Sequence, residues 1–148
     1  MTTDGGLHIL IVDDEPFIRR TVRAILSRVG CPYAEEAEDG ERALSYIEMS
    51  KPDLVLCDLE MKPMGGLEFV RRLREHANPA LRDLPVIMLT SDADPKSVQT
   101  AAKFAISVYL VKPVSPKQLA DRVDRIFKGR RIDPSAVVAT PRVTRHFS

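Results

Sequence analysis

The sequence predicts an α/β fold, a doubly wound five-stranded parallel sheet with helices on both faces. Two observations carry this. Five short apolar runs, at residues 8–12, 33–37, 54–57, 85–89 and 107–111, alternate with stretches in which apolar residues recur at helical spacing, and strands that alternate with helices build a parallel sheet. The third and fourth runs consist almost wholly of Leu, Val, Ile, Met and Cys, the composition of strands covered on both sides.

The elements follow in order. The first run leads to a helix on which Ile18, Val22, Ile25 and Val29 share one face, with Pro16 in its first turn and Gly30 just past its end. Glu35 and Glu36 interrupt the second run, which predicts a strand near the sheet edge. Ala43, Leu44 and Ile47 mark a short second helix, and Phe69, Val70, Leu73 and Ala77 a third. Val98, Ala101, Ala102 and Ala105 mark a fourth, opened by Asp94-Pro95. Leu119, Val123, Ile126 and Phe127 mark the fifth, which Ser115-Pro116-Lys117-Gln118 opens with capping-box spacing and Gly129 ends.

Composition bounds the function. Of 148 residues, 44% are hydrophobic and 29% charged, which suits one globular domain. The net charge of +1 gives the chain as a whole no electrostatic claim on nucleic acid or membrane. Basic residues crowd the end, with Lys128, Arg130, Arg131, Arg142 and Arg145 against the single acid Asp133. The organisation read from this is a lead at 1–7, a domain at 8–128 and a basic, disordered tail at 129–148. Cys31 and Cys57 form no disulfide framework, and Cys57 sits in a strand run as core. There is no secretory signal pattern and no apolar stretch long enough to span a bilayer, so the expected location is the cytoplasm.

Doubly wound sheets carry their sites at the carboxyl ends of the strands. There the sequence places Asp13 and Asp14 after the first run, Asp58 after the third, Thr90 and Ser91 after the fourth, and Lys112-Pro113 after the fifth. Each alone reads as a turn or a helix cap. Together they bring carboxylates, a hydroxyl and an ammonium to one sheet edge. Clustered carboxylates repel one another unless a cation intervenes, and an all-oxygen site with few acids and room for water suits Mg²⁺. Cation, ammonium and hydroxyl around one nucleophilic carboxylate is the equipment of phosphoryl transfer through an acyl phosphate.

These residues match a family pattern. The segments Ile9-Leu10-Ile11-Val12-Asp13-Asp14-Glu15-Pro16, Ala37-Glu38-Asp39-Gly40, Leu54-Val55-Leu56-Cys57-Asp58-Leu59-Glu60-Met61 with Gly66 beyond, Pro85-Val86-Ile87-Met88-Leu89-Thr90-Ser91 and Tyr109-Leu110-Val111-Lys112-Pro113 resemble the receiver domain of two-component response regulators, in particular the single-domain chemotaxis type. The resemblance implies a flavodoxin-like (βα)5 sandwich with strand order 2-1-3-4-5. It implies that Asp58 is the phosphoacceptor, that Asp14, Asp58 and the Glu60 backbone carbonyl bind Mg²⁺ with Asp13 acting largely through water, that Thr90 and Lys112 contact the phosphoryl group, and that Tyr109 is a switch aromatic which turns inward as Thr90 moves. It further implies a cis Lys112–Pro113 bond.

The implied partners are a histidine kinase or phosphotransfer protein as donor, and a downstream protein on the face of the fourth helix, fifth strand and fifth helix. A homodimer through the fourth-helix face is the further assembly it implies. Three departures stand out: Lys62-Pro63 shifts the usual proline by one place, Ala105 replaces a common glycine, and Glu60 and Asp92 occupy positions that tune phosphate lifetime in the family.

The product of such chemistry is a conformation, not a turned-over substrate. A phosphate relay or phosphate sink is the neighbouring reading. An aspartyl-phosphate phosphatase of the haloacid-dehalogenase kind fits worse, because its Asp-x-Asp pattern follows the first strand and its cap insertion has no counterpart here. No DNA-binding helix-turn-helix follows the fifth helix.

Overall fold

The computed structural model describes residues 6–91, 99, 103–106 and 108–127. Strands β1 (His8–Val12), β2 (Tyr33–Ala37), β3 (Leu54–Asp58), β4 (Val86–Thr90) and β5 (Val108–Val111) form one parallel sheet in the order β2-β1-β3-β4-β5. The order reverses direction at β1 and β3, whose carboxyl ends therefore flank the crevice in which such sheets carry their sites. The Glu-bearing strand β2 lies at an edge, as its interrupted pattern requires.

Alternation along the strands divides the core in two. Leu10, Val12, Val55, Cys57, Val86 and Met88 face α2 (Gly40–Ser50) and α3 (Gly66–Arg74), meeting Ala43, Ile47, Phe69, Val70 and Leu73. Ile9, Ile11, Leu54, Leu56, Ile87 and Leu89 face the other way, toward α1 (Pro16–Arg28) and the last described helix. With one neighbour face on each side, β3 and β4 are buried at every residue, which accounts for their continuous apolar composition.

Local signals set the helix ends. Pro16 opens α1 and Gly30, at φ 95°, follows its end. Asp39 caps α2 by accepting from the Arg42 amide. A single turn, α4 (Pro79–Arg82), is opened by Asn78, whose side chain accepts from the Ala80 amide. Helix α5 (Pro116–Phe127) begins where the Ser115 hydroxyl accepts from the Gln118 amide, at 3.0 Å.

One expectation needs correction. The third helix stops at Arg74, and Ala77 lies beyond it, exposed; its spacing continued the apolar stripe, but the chain had already turned. The turn α4 fills part of the gap and buries Leu81. The expected fourth helix falls largely outside the described residues, as do Asp92, Ser107, Gly129 and the tail. The segment after it is visible at Phe104–Ala105. There Ala105 takes a left-handed conformation, φ 55°, the geometry for which a glycine is the ordinary choice. The guanidinium of Arg74 donates to the carbonyls of Phe104, Arg82, Leu84 and Ala105 at 2.7–3.0 Å, tying the end of α3 to both neighbouring segments. The Lys112–Pro113 bond is cis, and so is Lys62–Pro63. No helix among the described residues is long and apolar enough to cross a membrane.

Candidate phosphoacceptor and metal site

The strands that form the switch point deliver the acids. Asp13 follows β1 and keeps its strand pairing, since its amide donates to the Ala37 carbonyl. Its Oδ1 accepts from the Glu15 amide at 2.9 Å, which fixes the carboxylate at the head of α1. Arg19 secures the same loop from α1: its Nη1 donates to the Asp13 carbonyl at 2.7 Å and its Nε to Glu36 Oε1 at 2.9 Å. Asp14 is exposed and accepts from the Lys62 amide at 3.3 Å, so the loop bearing Lys62-Pro63 leans on the acidic pair.

Asp58 closes β3. A Cβ at Gly66 would press on the Asp58 carbonyl oxygen and come within 2.9 Å of Leu59 Cα. Glycine thus lets the start of α3 seat directly against the end of β3, where the Gly66 amide donates to the Leu59 carbonyl. Cys57, next to Asp58, is fully buried among the core residues, and burial pushes its thiol well up, so it is core and not chemistry.

From the other half of the sheet, Thr90 ends β4 at full burial, and the Lys112 amide donates to its carbonyl at 2.7 Å. That bond carries β5 pairing one residue further and aims Lys112 inward. Its ammonium lies 2.8 Å from Asp58 Oδ1 and 3.5 Å from Asp13 Oδ2. The structure therefore brings Asp13, Asp14, Asp58, Glu60, Thr90 and Lys112 together. Tyr109, on β5, is buried in the core cluster that holds Met88.

Charge is out of balance here. Burial raises the Asp58 carboxyl to about 6; Lys112 opposes the rise, while the Asp13 and Glu60 carboxylates add to it. Burial likewise raises Asp13, against the Glu15 amide and Lys112. Burial works against the Lys112 ammonium too, but Asp58 and Asp13 outweigh it and hold its pKa above the ordinary value. One ammonium does not neutralise this set. Oxygen atoms of Asp13, Asp14 and Asp58 lie within 4.8 Å of one another. An all-carboxylate donor set short of positive charge fits a hard divalent cation.

Sequence reasoning missed Arg19 as a brace of the Asp13 loop; it singled out position 60 but missed the partner of the Glu60 side chain. Glu60 Oε2 accepts from the Thr90 hydroxyl at 2.7 Å, across 30 positions of sequence.

A family model described as Response regulator receiver domain matches residues 9–124. Chemotaxis protein CheY-3 of Vibrio cholerae serotype O1 is 34% identical over 123 residues, 83% of this chain and 93% of that protein. Cyclic di-GMP phosphodiesterase response regulator RpfG of Xanthomonas campestris pv. campestris is 36% identical over 130 residues, 86% of this chain but 34% of that protein. Among solved structures, chemotaxis protein CheY4 of Vibrio cholerae superposes with a TM-score of 0.75 at 30% identity, over 82% of this chain and 98% of the other. A response regulator receiver protein from Pseudomonas putida gives 0.73 at 26% identity, over 81% and 97%.

Proposed function

The chain belongs to the response regulator receiver domain family, and from that premise we propose that it is a phosphorylation switch whose acceptor is Asp58. The observation that carries the reading is the Lys112 ammonium at 2.8 Å from Asp58, inside a cluster that includes Asp13 and Asp14. In this reading a histidine kinase or phosphotransfer protein presents a phosphohistidine. The Asp58 carboxylate attacks phosphorus, the phosphorus–nitrogen bond breaks, and the imidazole leaves. The product is an acyl phosphate on Asp58.

Asp14, Asp58 and the Glu60 carbonyl are the residues that would hold Mg²⁺, with Asp13 reaching it through water. When bound, the ion supplies positive charge to the phosphoryl oxygens. The chain's own groups do the rest. Asp58 is the nucleophile, Lys112 pairs with charge developing on the phosphoryl oxygens, and Thr90 donates its hydroxyl to one of them. Asp13, held by the Glu15 amide and Arg19, keeps the acidic pocket in shape.

The output is a changed surface for a downstream protein, at the predicted fourth helix, β5 and α5. The phosphate acts by favouring one of two packings through its differential contacts with Thr90 and Lys112, with Tyr109 as the aromatic that follows. The chain catalyses its own phosphorylation and slow hydrolysis and turns over no separate substrate. Its place is the cytoplasm, where such donors act; the receiver spans residues 8–128, and the sequence after it is basic in composition.

Phosphoramidate with Mg²⁺ tests the reading. After borohydride reduction, peptide mapping should place a single modification at Asp58. Modification elsewhere, or none, rejects it.

A further inference from the structure

We infer that the Glu60 carboxylate is a built-in competitor for the Thr90 hydroxyl, a positioning residue that a phosphoryl group on Asp58 must displace before Thr90 can engage it. The inference rests on the phosphoacceptor reading of Asp58.

Thr90 is fully buried at the end of β4, and its Oγ1 donates to Glu60 Oε2 at 2.7 Å. A hydroxyl has one proton and donates one hydrogen bond at a time. The bond to Glu60 and a bond to a phosphoryl oxygen therefore exclude each other. A carboxylate is a strong, charged acceptor, so the exchange is between two anions of similar appeal to the hydroxyl. Glu60 sits on the loop two residues beyond Asp58 with an exposed side chain, so its carboxylate can swing to solvent once displaced. A phosphoryl group arriving on Asp58 repels it in that direction.

The bond also joins the β3 and β4 loops, two of the loops that bear the site. Releasing it frees the end of β4 to shift at the same moment that the acceptor is modified. The arrangement sets a threshold on switching that is independent of metal ligation, since the metal role expected of Glu60 belongs to its backbone carbonyl. Side-chain substitutions separate the two.

The test uses the full chain, Mg²⁺ and the beryllium trifluoride anion, which caps a carboxylate as a phosphoryl group does; binding is followed by calorimetry. Glu60→Ala removes both charge and bond. Glu60→Asp keeps the charge but shortens the arm by one methylene, out of reach of Thr90. Both variants should bind roughly 3- to 10-fold more tightly than the parent, the share of one hydrogen bond. If Glu60→Asp binds no more tightly than the parent while Glu60→Ala does, charge repulsion alone acts and the inference is overturned. Equal or weaker binding by both variants overturns it as well. A parent chain that takes up no beryllium trifluoride rejects the phosphoacceptor reading itself, and the inference with it.

Discussion

The ammonium of Lys112 lies 2.8 Å from Oδ1 of Asp58 although 54 positions separate them, because β4 lies between their strands and passes the register on through the bond from the Lys112 amide to the Thr90 carbonyl. One positive charge is thereby set against the Asp13 and Asp58 carboxylates. The cluster is an electrostatic deficit that the fold maintains at some expense of stability.

That expense is measurable. The Asp58 carboxyl is raised from 3.8 to about 6, chiefly by burial. Between these values the folded chain holds a proton that the unfolded chain has released, so this group's contribution to stability falls as pH rises through the window. Asp58→Asn should therefore stabilise the protein at pH 7 in the presence of a chelator, by about 2–3 kcal/mol, and by much less at pH 4. Urea denaturation at the two pH values checks it. The same gain at both would mean that packing, not charge, is responsible.

Gly66 tests the seat of α3 against β3. A methyl group there meets the Asp58 carbonyl and Leu59 Cα, and β3 is buried on both faces and cannot retreat. Gly66→Ala should cost about 2–3 kcal/mol in stability and slow phosphorylation of Asp58 measured on protein that remains folded. A variant with parental stability would show that the helix can shift without loss.

Ala105 is the opposite case. Its left-handed backbone is held by the Arg74 bond to its carbonyl, and its side chain is exposed. Ala105→Gly should relieve the strain and stabilise the chain by about 0.5–1 kcal/mol. Thermal unfolding reads this directly, and a lower midpoint would contradict it.

These positions also show what the sequence could disclose. Runs of buried apolar residues announced β3 and β4, and the residues just past the strand ends announced the site, because sheet topology turns chain order into position. Cap chemistry at Pro16, Gly30 and Ser115 was equally legible, being local. Ala77 misled because periodicity reports which face is apolar and not where the last turn stops. The Glu60 bond to Thr90, the Arg19 brace and the Arg74 ties were not legible. Each joins separate loops or elements, and no local pattern encodes which carbonyl or hydroxyl a long side chain will meet.

The most direct test of the central claim is incubation of the full chain with acetyl phosphate and Mg²⁺, read by intact mass. The parent should gain one phosphoryl group, lost on adding a chelator and absent from Asp58→Ala. No gain in the parent, or an equal gain in Asp58→Ala, would contradict it.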